Sequence, residues 1–410
     1  MQAFLFWLLL SASVKEDHAQ LRSGCYADSE TVARLDAGAP LTIRYSLAGD
    51  DAACYKVAVQ SGGKTIEGYL SAKSIEGIDD FDKARRDASW LDMTQVMGSL
   101  RNSAGLPAPS KGLPGTGFNR VAAQASDLIE ASQPAKALEV LEPALRSNKD
   151  PGLLMLAGIA SWRNDDSRKA LEYWRQSLDK QPNQDLEKLY QKVEKEARND
   201  QSTERIYGLR VLLRYESSVV KVDTAREMAA ALDREFARVS NELGCRADER
   251  VVAIAQSRDA YRKATEAAEW SGGQYDGRIR VPVFDGQGLD KEMRRTLAHE
   301  ITHACLTMMG RWPAWLQEGL AQKLSGETMR PEVRQRLTVM AQEKKLPKLS
   351  NLGQDWSRMD TEHAVLAYAL SLAAVEVFYQ DYAGYGIGNL LRNPERLAAI
   401  TTDLERRLGL

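Results

Sequence analysis

Histidine is scarce in this chain, four in 410 residues, and two of the four stand in the run His299-Glu300-Ile301-Thr302-His303. Residues four apart lie on one face of an α-helix, one turn above the other. The two imidazoles can act together only if this stretch is helical. The upstream residues Lys291-Glu292-Met293-Arg294-Arg295-Thr296-Leu297-Ala298 contain no helix breaker, and Leu297, Ile301 and Leu306 supply apolar positions. On such a face both histidines can offer a ring nitrogen to one metal ion. A pair of core histidines on an amphipathic helix is the plainer reading, but it gives no reason for the glutamate between them. Glu300, one residue on from the first histidine, is placed to reach a metal-bound water rather than the metal. That arrangement suits hydrolysis in which a cation acidifies water and a carboxylate takes its proton.

A catalytic zinc ion needs a third protein ligand and one open position. Gly310-Arg311-Trp312-Pro313 ends the first helix, and Pro313 is suited to open a second. The second helix carries Trp315-Leu316-Gln317-Glu318-Gly319-Leu320-Ala321. An unpaired charge at Glu318 among apolar neighbours is costly, and coordination removes that cost. The alternative is a surface glutamate on a helix that buries Trp315, Leu316 and Leu320.

HEITH followed by WLQEGLA resembles the gluzincin zinc metallopeptidases, in particular the bacterial peptidase MA-like branch, in which a W-x-x-E-G-x-A helix supplies the glutamate ligand. Trp315, Glu318, Gly319 and Ala321 match that helix, and YDGRIRVPV (275–283) is similar to the sheet edge along which a peptide lies extended in that family. The resemblance covers residues 206–410. It implies Zn2+ held by His299, His303 and Glu318, Glu300 as general base, and a peptide or protein substrate. Ala367-Tyr368-Ala369-Leu370-Ser371 resembles the family's A-Y-A-x-S helix, which makes Tyr368 the candidate oxyanion donor; plain core packing of Tyr368 stays open, since Leu366, Leu370 and Val375 give its helix an apolar face. Thermolysin-like relatives carry an acidic residue four positions after the glutamate ligand, to orient a histidine. Here that position is Gln322, whose amide can still accept a hydrogen bond. His363 is expected to be exposed, with support of a metal ligand from behind or a second oxyanion contact as the alternative, and Cys305 to lie on another helix face, away from any metal.

The N-terminal half reads differently. Ala3 to Leu10 is an unbroken apolar run followed by Ser11-Ala12-Ser13, so residues 1–20 are expected to be a signal peptide or N-terminal anchor. Export to the periplasm, secretion or N-terminal membrane anchoring follows as the expectation. Residues 24–78 read as short strands ending in GYLSAKSIEG, which resembles the last strand and turn of a bacterial SH3-like domain. Gly and Pro crowd residues 98–120, a linker composition. Within residues 120–200, Ala137–Leu145 aligns with Ala170–Leu178, a repeat close to the tetratricopeptide (TPR) period. Two units offer little concave surface, which favours a helical brace over a binding groove. Beyond residue 206, residues 206–215 read as one strand, Thr224–Leu243 as a helix, Val251–Ala255 as a buried strand, Arg258–Glu269 as a helix, and the Pro282 segment as an edge strand. The expected fold is multidomain: an α+β zincin-like domain preceded by a small all-β SH3-like barrel and a TPR-like helical region.

Fifty-five basic against 57 acidic residues leave no basic field for nucleic acid. A disulfide between Cys25 and Cys54 is possible in an exported chain, while Cys245 and Cys305 are expected to be small buried side chains. The rival function is a non-catalytic envelope adaptor. In it the zinc site is structural or vestigial, and the N-terminal modules bind a protein partner or cell-wall material.

Overall fold

The computed structural model describes residues 12–23, 29–48, 53–61, 64–78, 117–199, 203–265, 274–283, 288–352 and 361–410. Strands β1 (Ala12–Val14), β2 (Ala19–Arg22), β3 (Thr31–Leu35), β4 (Pro40–Ala48), β5 (Ala53–Ser61), β6 (Lys64–Ser71) and β7 (Ile75–Glu76) form one antiparallel sheet in the order β3-β2-β6-β5-β4-β1-β7. Alternation sets its inner face, where Leu41, Ile43, Tyr55, Val57, Val59 and Leu70 are buried with Val14 and Leu21. Among the described residues the sheet therefore starts at Ala12, ahead of residue 24. β1 and β2 fall in the stretch expected to be a signal peptide or anchor, and Ala12 of the small-residue cluster is a core residue of β1. The apolar run Ala3–Leu10 lies outside the described residues, as do Cys25 and residues 79–116, which hold most of the expected linker. Cys54 is disulfide-bonded.

Among the described residues five helices follow: α1 (Gly117–Glu130), α2 (Pro134–Ser147), α3 (Pro151–Arg163), α4 (Ser167–Lys180) and α5 (Gln184–Asn199). The sequence repeat maps onto α2 and α4, whose Ala137 and Ala170, and Leu141 and Trp174, are all buried in one core. Gly158 explains how α3 and α4 come so close. A Cβ there would sit 2.1 Å from Trp174 Nε1, and that indole N–H donates to the Met155 carbonyl at 3.1 Å.

The remainder is a mixed sheet under a helical layer. Strands β8 (Thr203–Tyr207), β9 (Val211–Glu216), β10 (Val251–Ser257), β11 (Gln274–Tyr275) and β12 (Ile279–Val283) order as β11-β12-β10-β9-β8. β9, β10 and β12 run parallel, and β8 and β11 are antiparallel to their neighbours. The residues 206–215, expected to form one strand, instead span parts of β8 and β9. The turn between these strands is closed from a distance: Asp233 on α6 (Val222–Leu243) accepts from the backbone N–H groups of Leu209, Arg210 and Val211 at 2.7, 2.8 and 3.1 Å. β11 pairs only with Ile279 and Arg280 of β12. β12 is thus an interior strand between β10 and β11, not the edge strand expected from Pro282; the proline lies opposite Gln256 of β10 and beyond the short pairing with β11, where its missing donor is tolerated.

Around this sheet lie α7 (Arg258–Thr265), α8 (Lys291–Met309), α9 (Ala314–Leu324), α10 (Pro331–Gln342), α11 (Thr361–Asp381), α12 (Ile387–Arg392) and α13 (Leu397–Leu408). Together with the N-terminal sheet they make a multidomain α+β chain. Cys245 and Cys305 are not free buried thiols but a disulfide. Cys245 follows the end of α6 and Cys305 projects from α8, so the bond ties these helices together. Their separation of 60 residues hides the pairing from local sequence reading.

The five helices are anchored on the mixed sheet by buried charge. Glu196 of α5 accepts from Arg278 at 3.0 Å and from Arg280 of β12 at 2.9 Å, and Arg280 also donates to Asp276 at 2.9 Å. All four residues are buried. Arg278 further stacks on Trp162 of α3, its guanidinium 4.0 Å from the ring centre.

Candidate metal centre

Asp290 caps α8 by accepting the Met293 N–H at 2.7 Å, and Leu297, Ile301, Ala304 and Cys305 bury one face of the helix in the core. That burial fixes the rotation of α8 and leaves His299 and His303 on its other side. The turn into α9 is held by side chains: Trp312 Nε1 donates to the Leu306 carbonyl at 3.0 Å, and Gln317 Nε2 to the Trp312 carbonyl at 2.9 Å. Glu318 then faces the two imidazoles.

The three donor groups converge. His299 Nε2 and His303 Nε2 are 3.1 Å apart, and Glu318 places one carboxylate oxygen 3.5 Å from His299 Nε2 and the other 3.6 Å from His303 Nε2. Tetrahedral coordination with zinc–ligand bonds of about 2.0–2.1 Å separates neighbouring donors by about 3.3–3.5 Å. Among the described residues this is the group of three or more His, Cys, Asp or Glu side chains close enough to hold a metal ion. The Glu318 Oε2 atom is buried without a hydrogen-bond partner, an arrangement that costs stability unless a cation or proton satisfies it. The three side chains thus form a donor set that could hold a metal ion.

The electrostatics agree with the geometry. Burial by itself lowers the His299 pKa, but the Glu318 carboxylate beside it overrides that effect and pushes the imidazole up to about 9. Burial raises Glu318, yet His303 and His299 hold it well below the usual carboxylate range. The pocket therefore draws positive charge toward Glu318. Glu300 is 4% exposed, its Oε2 has no hydrogen-bond partner, and burial raises its pKa against the two histidines. A raised carboxylate is a stronger base, as proton transfer near neutrality requires.

Tyr368 belongs to this environment. Burial, followed by the negative charges of Glu318, Glu300 and Glu327, raises its phenol well above the ordinary value, so it stays a proton donor. Two contacts bring its helix to α9. A Cβ on Gly319 would sit 2.4 Å from the Ser371 carbonyl oxygen, so only glycine lets α11 cross this close to Glu318. Gln322 Nε2 donates to the Tyr368 carbonyl at 3.0 Å and to the Glu318 carbonyl at 3.2 Å. The hydrogen bonds seen for Gln322 are thus donated to backbone and hold Tyr368 in place, whereas sequence reasoning expected an acceptor for a histidine. His363 is exposed. Gly319→Ala is expected to lower unfolding stability by about 1–3 kcal/mol, the cost of overpacking a helix crossing, read by urea denaturation.

Two acidic residues whose charge reaches the site escaped sequence reading. Glu327, just past α9, acts electrostatically on His299 and Tyr368, and Asp276, between β11 and β12, acts on Glu300. No local pattern marks Glu327. Asp276 had a signal: with Arg278 and Arg280 it puts three charges into a segment read as a sheet edge. No protein-family model and no curated protein matches the chain.

Proposed function

We propose that the chain is an exported zinc metallopeptidase, and that residues 203–410 form a zincin-like unit preceded by an SH3-like sheet and a TPR-like pair of helical hairpins. The observation that carries this reading is the convergence of His299, His303 and Glu318 from two helices, with the buried carboxylate of Glu300 next to them. These three residues would hold Zn2+, which when bound supplies Lewis acidity to a water molecule and to the scissile carbonyl. Glu300 takes the water's proton during attack and passes it to the leaving amine. The Tyr368 phenol donates a hydrogen bond to the oxygen that becomes negative. Among the described residues β11 is the last strand of the mixed sheet and packs against α8, and an extended peptide backbone would pair along its outer edge. Export is supported by the apolar run at residues 3–10 and by disulfide bonding at Cys54, Cys245 and Cys305, which an oxidising compartment favours.

Metal analysis combined with a mixed peptide library tests the proposal. One zinc per chain is expected, with cleavage lost on chelation and restored by zinc. Full zinc occupancy without hydrolysis of any peptide would favour the adaptor reading, in which the site is structural. Restored activity toward a non-peptide ester alone would keep the metal chemistry and remove the peptide bond from it.

A further inference from the structure

A cavity of about 720 Å³ lies between helices α4 and α5 and strands β8 and β9, and its lining includes none of the metal-centre residues. One wall is a single face of α4, on which Arg168, Leu171, Glu172 and Arg175 recur at helical spacing. The opposite wall brings Arg205 of β8 and Arg214 of β9. Asp165 is the acid set deepest here, and its two oxygens are already engaged: one is 2.9 Å from Arg205 Nε and the other 2.9 Å from Arg214 Nη1. Asp166 is also committed, accepting the Lys169 N–H at 3.0 Å as the cap of α4. The lining therefore sets four guanidinium groups against three carboxylates, and Arg168 and Arg175 are the two that do not pair with Asp165. Ser167, 6% exposed, lines the same cavity, and its hydroxyl has no hydrogen-bond partner. It lies in the first turn of α4, where the helix dipole favours negative charge.

We propose that this cavity is a binding site for an organic oxyanion, a carboxylate or phosphate group carried on a small apolar body. Guanidinium forks match both groups bidentately. Leu171 and the ring of Tyr190 supply the apolar part of the wall. A volume of about 720 Å³ exceeds what a bare inorganic anion fills and falls in the range of small-molecule sites. The site draws on both the helical hairpins and the mixed sheet, so occupancy would report on their junction. It does not depend on the metallopeptidase reading.

Calorimetric titration of the full chain at low ionic strength tests this, with phenyl phosphate and N-acetyl-tyrosine as anionic probes and N-acetyl-tyrosine amide as the neutral control. Saturable binding of at least one anion is expected, weakening as salt rises and at least tenfold tighter than the amide. The preferred probe tells whether phosphate or carboxylate is the cognate group. Arg168 and Arg175 are exposed, so the double variant Arg168→Gln/Arg175→Gln should fold and should bind the anion at least tenfold more weakly. Chelating the metal should leave the affinity unchanged. Three results would overturn the proposal: no saturable anion binding by the wild-type chain, equal affinity for the amide, or undiminished binding in the double variant.

Discussion

Glu300→Gln is expected to cut kcat/KM for peptide hydrolysis by about 10²–10⁴-fold, the usual worth of a positioned general base, while zinc remains bound at wild-type stoichiometry. The substitution keeps the shape of a side chain that is nearly fully buried, so packing of α8 is not the variable. What changes is basicity, because an amide cannot take a proton from water. Burial raises the pKa of this carboxylate, and the unpartnered Oε2 leaves it an atom with which to accept the proton. His303→Ala gives the contrast: it removes one of the three donors, so metal and activity should fall together. Kinetics paired with elemental analysis on both variants separates the roles. Wild-type cleavage by Glu300→Gln would take Glu300 out of the mechanism, and zinc loss in that variant would make it a metal-binding or structural residue.

The parts of this site that were legible in the sequence are those written within one helix. The spacing of His299 and His303 and the apolar stripe of Leu297 and Ile301 are local, and the second helix could be read from Pro313 onward. What was hidden depends on a crossing partner. Gly319 gains its meaning from the Ser371 carbonyl on α11, and Gln322 from the Tyr368 carbonyl, contacts 52 and 46 residues away in sequence. The β8–β9 turn escaped because Asp233, well downstream, closes it. The Cys245–Cys305 disulfide escaped for the same reason. At the N-terminus the apolar run drew attention, and the short strands β1 and β2 just behind it carry too few residues for alternation to show. The repeat in α2 and α4 was visible as an offset of 33, but nothing in it says that α5 lays a glutamate against two arginines of the sheet.

That glutamate should control stability. Glu196→Gln is expected to lower the unfolding free energy by about 3–5 kcal/mol, because breaking a buried ion network from one side strands the charges that remain. Arg278 is the most exposed to this loss. Burial, and then the neighbouring Arg280, already depress its pKa to about 10 despite Glu196 and Asp276. A loss of that size is a large share of the ~5–15 kcal/mol that holds a typical domain folded. The same network sets a pH dependence. Burial raises the pKa of Glu196 and Asp276, but Arg280 and Arg278 override it and hold both below their ordinary values. Carboxylates depressed in the folded state bind protons more readily when unfolded. Their contribution is therefore complete above the unfolded value, about 4.5 for Glu196, and is lost as pH falls through the folded one. Urea titrations across pH 7 to 3 should show wild-type stability falling on the acid side and a shallower fall in Glu196→Gln, with the two curves converging at low pH. Parallel curves would mean that Glu196 acts by packing alone. The network also touches the chemistry, since Asp276, which Arg280 holds in place, is one of the charges acting on Glu300. Glu196→Gln should accordingly shift the pH profile of kcat/KM as well as the melting curve. An unchanged profile in a destabilised variant would confine the network to the anchoring of the helices on the sheet.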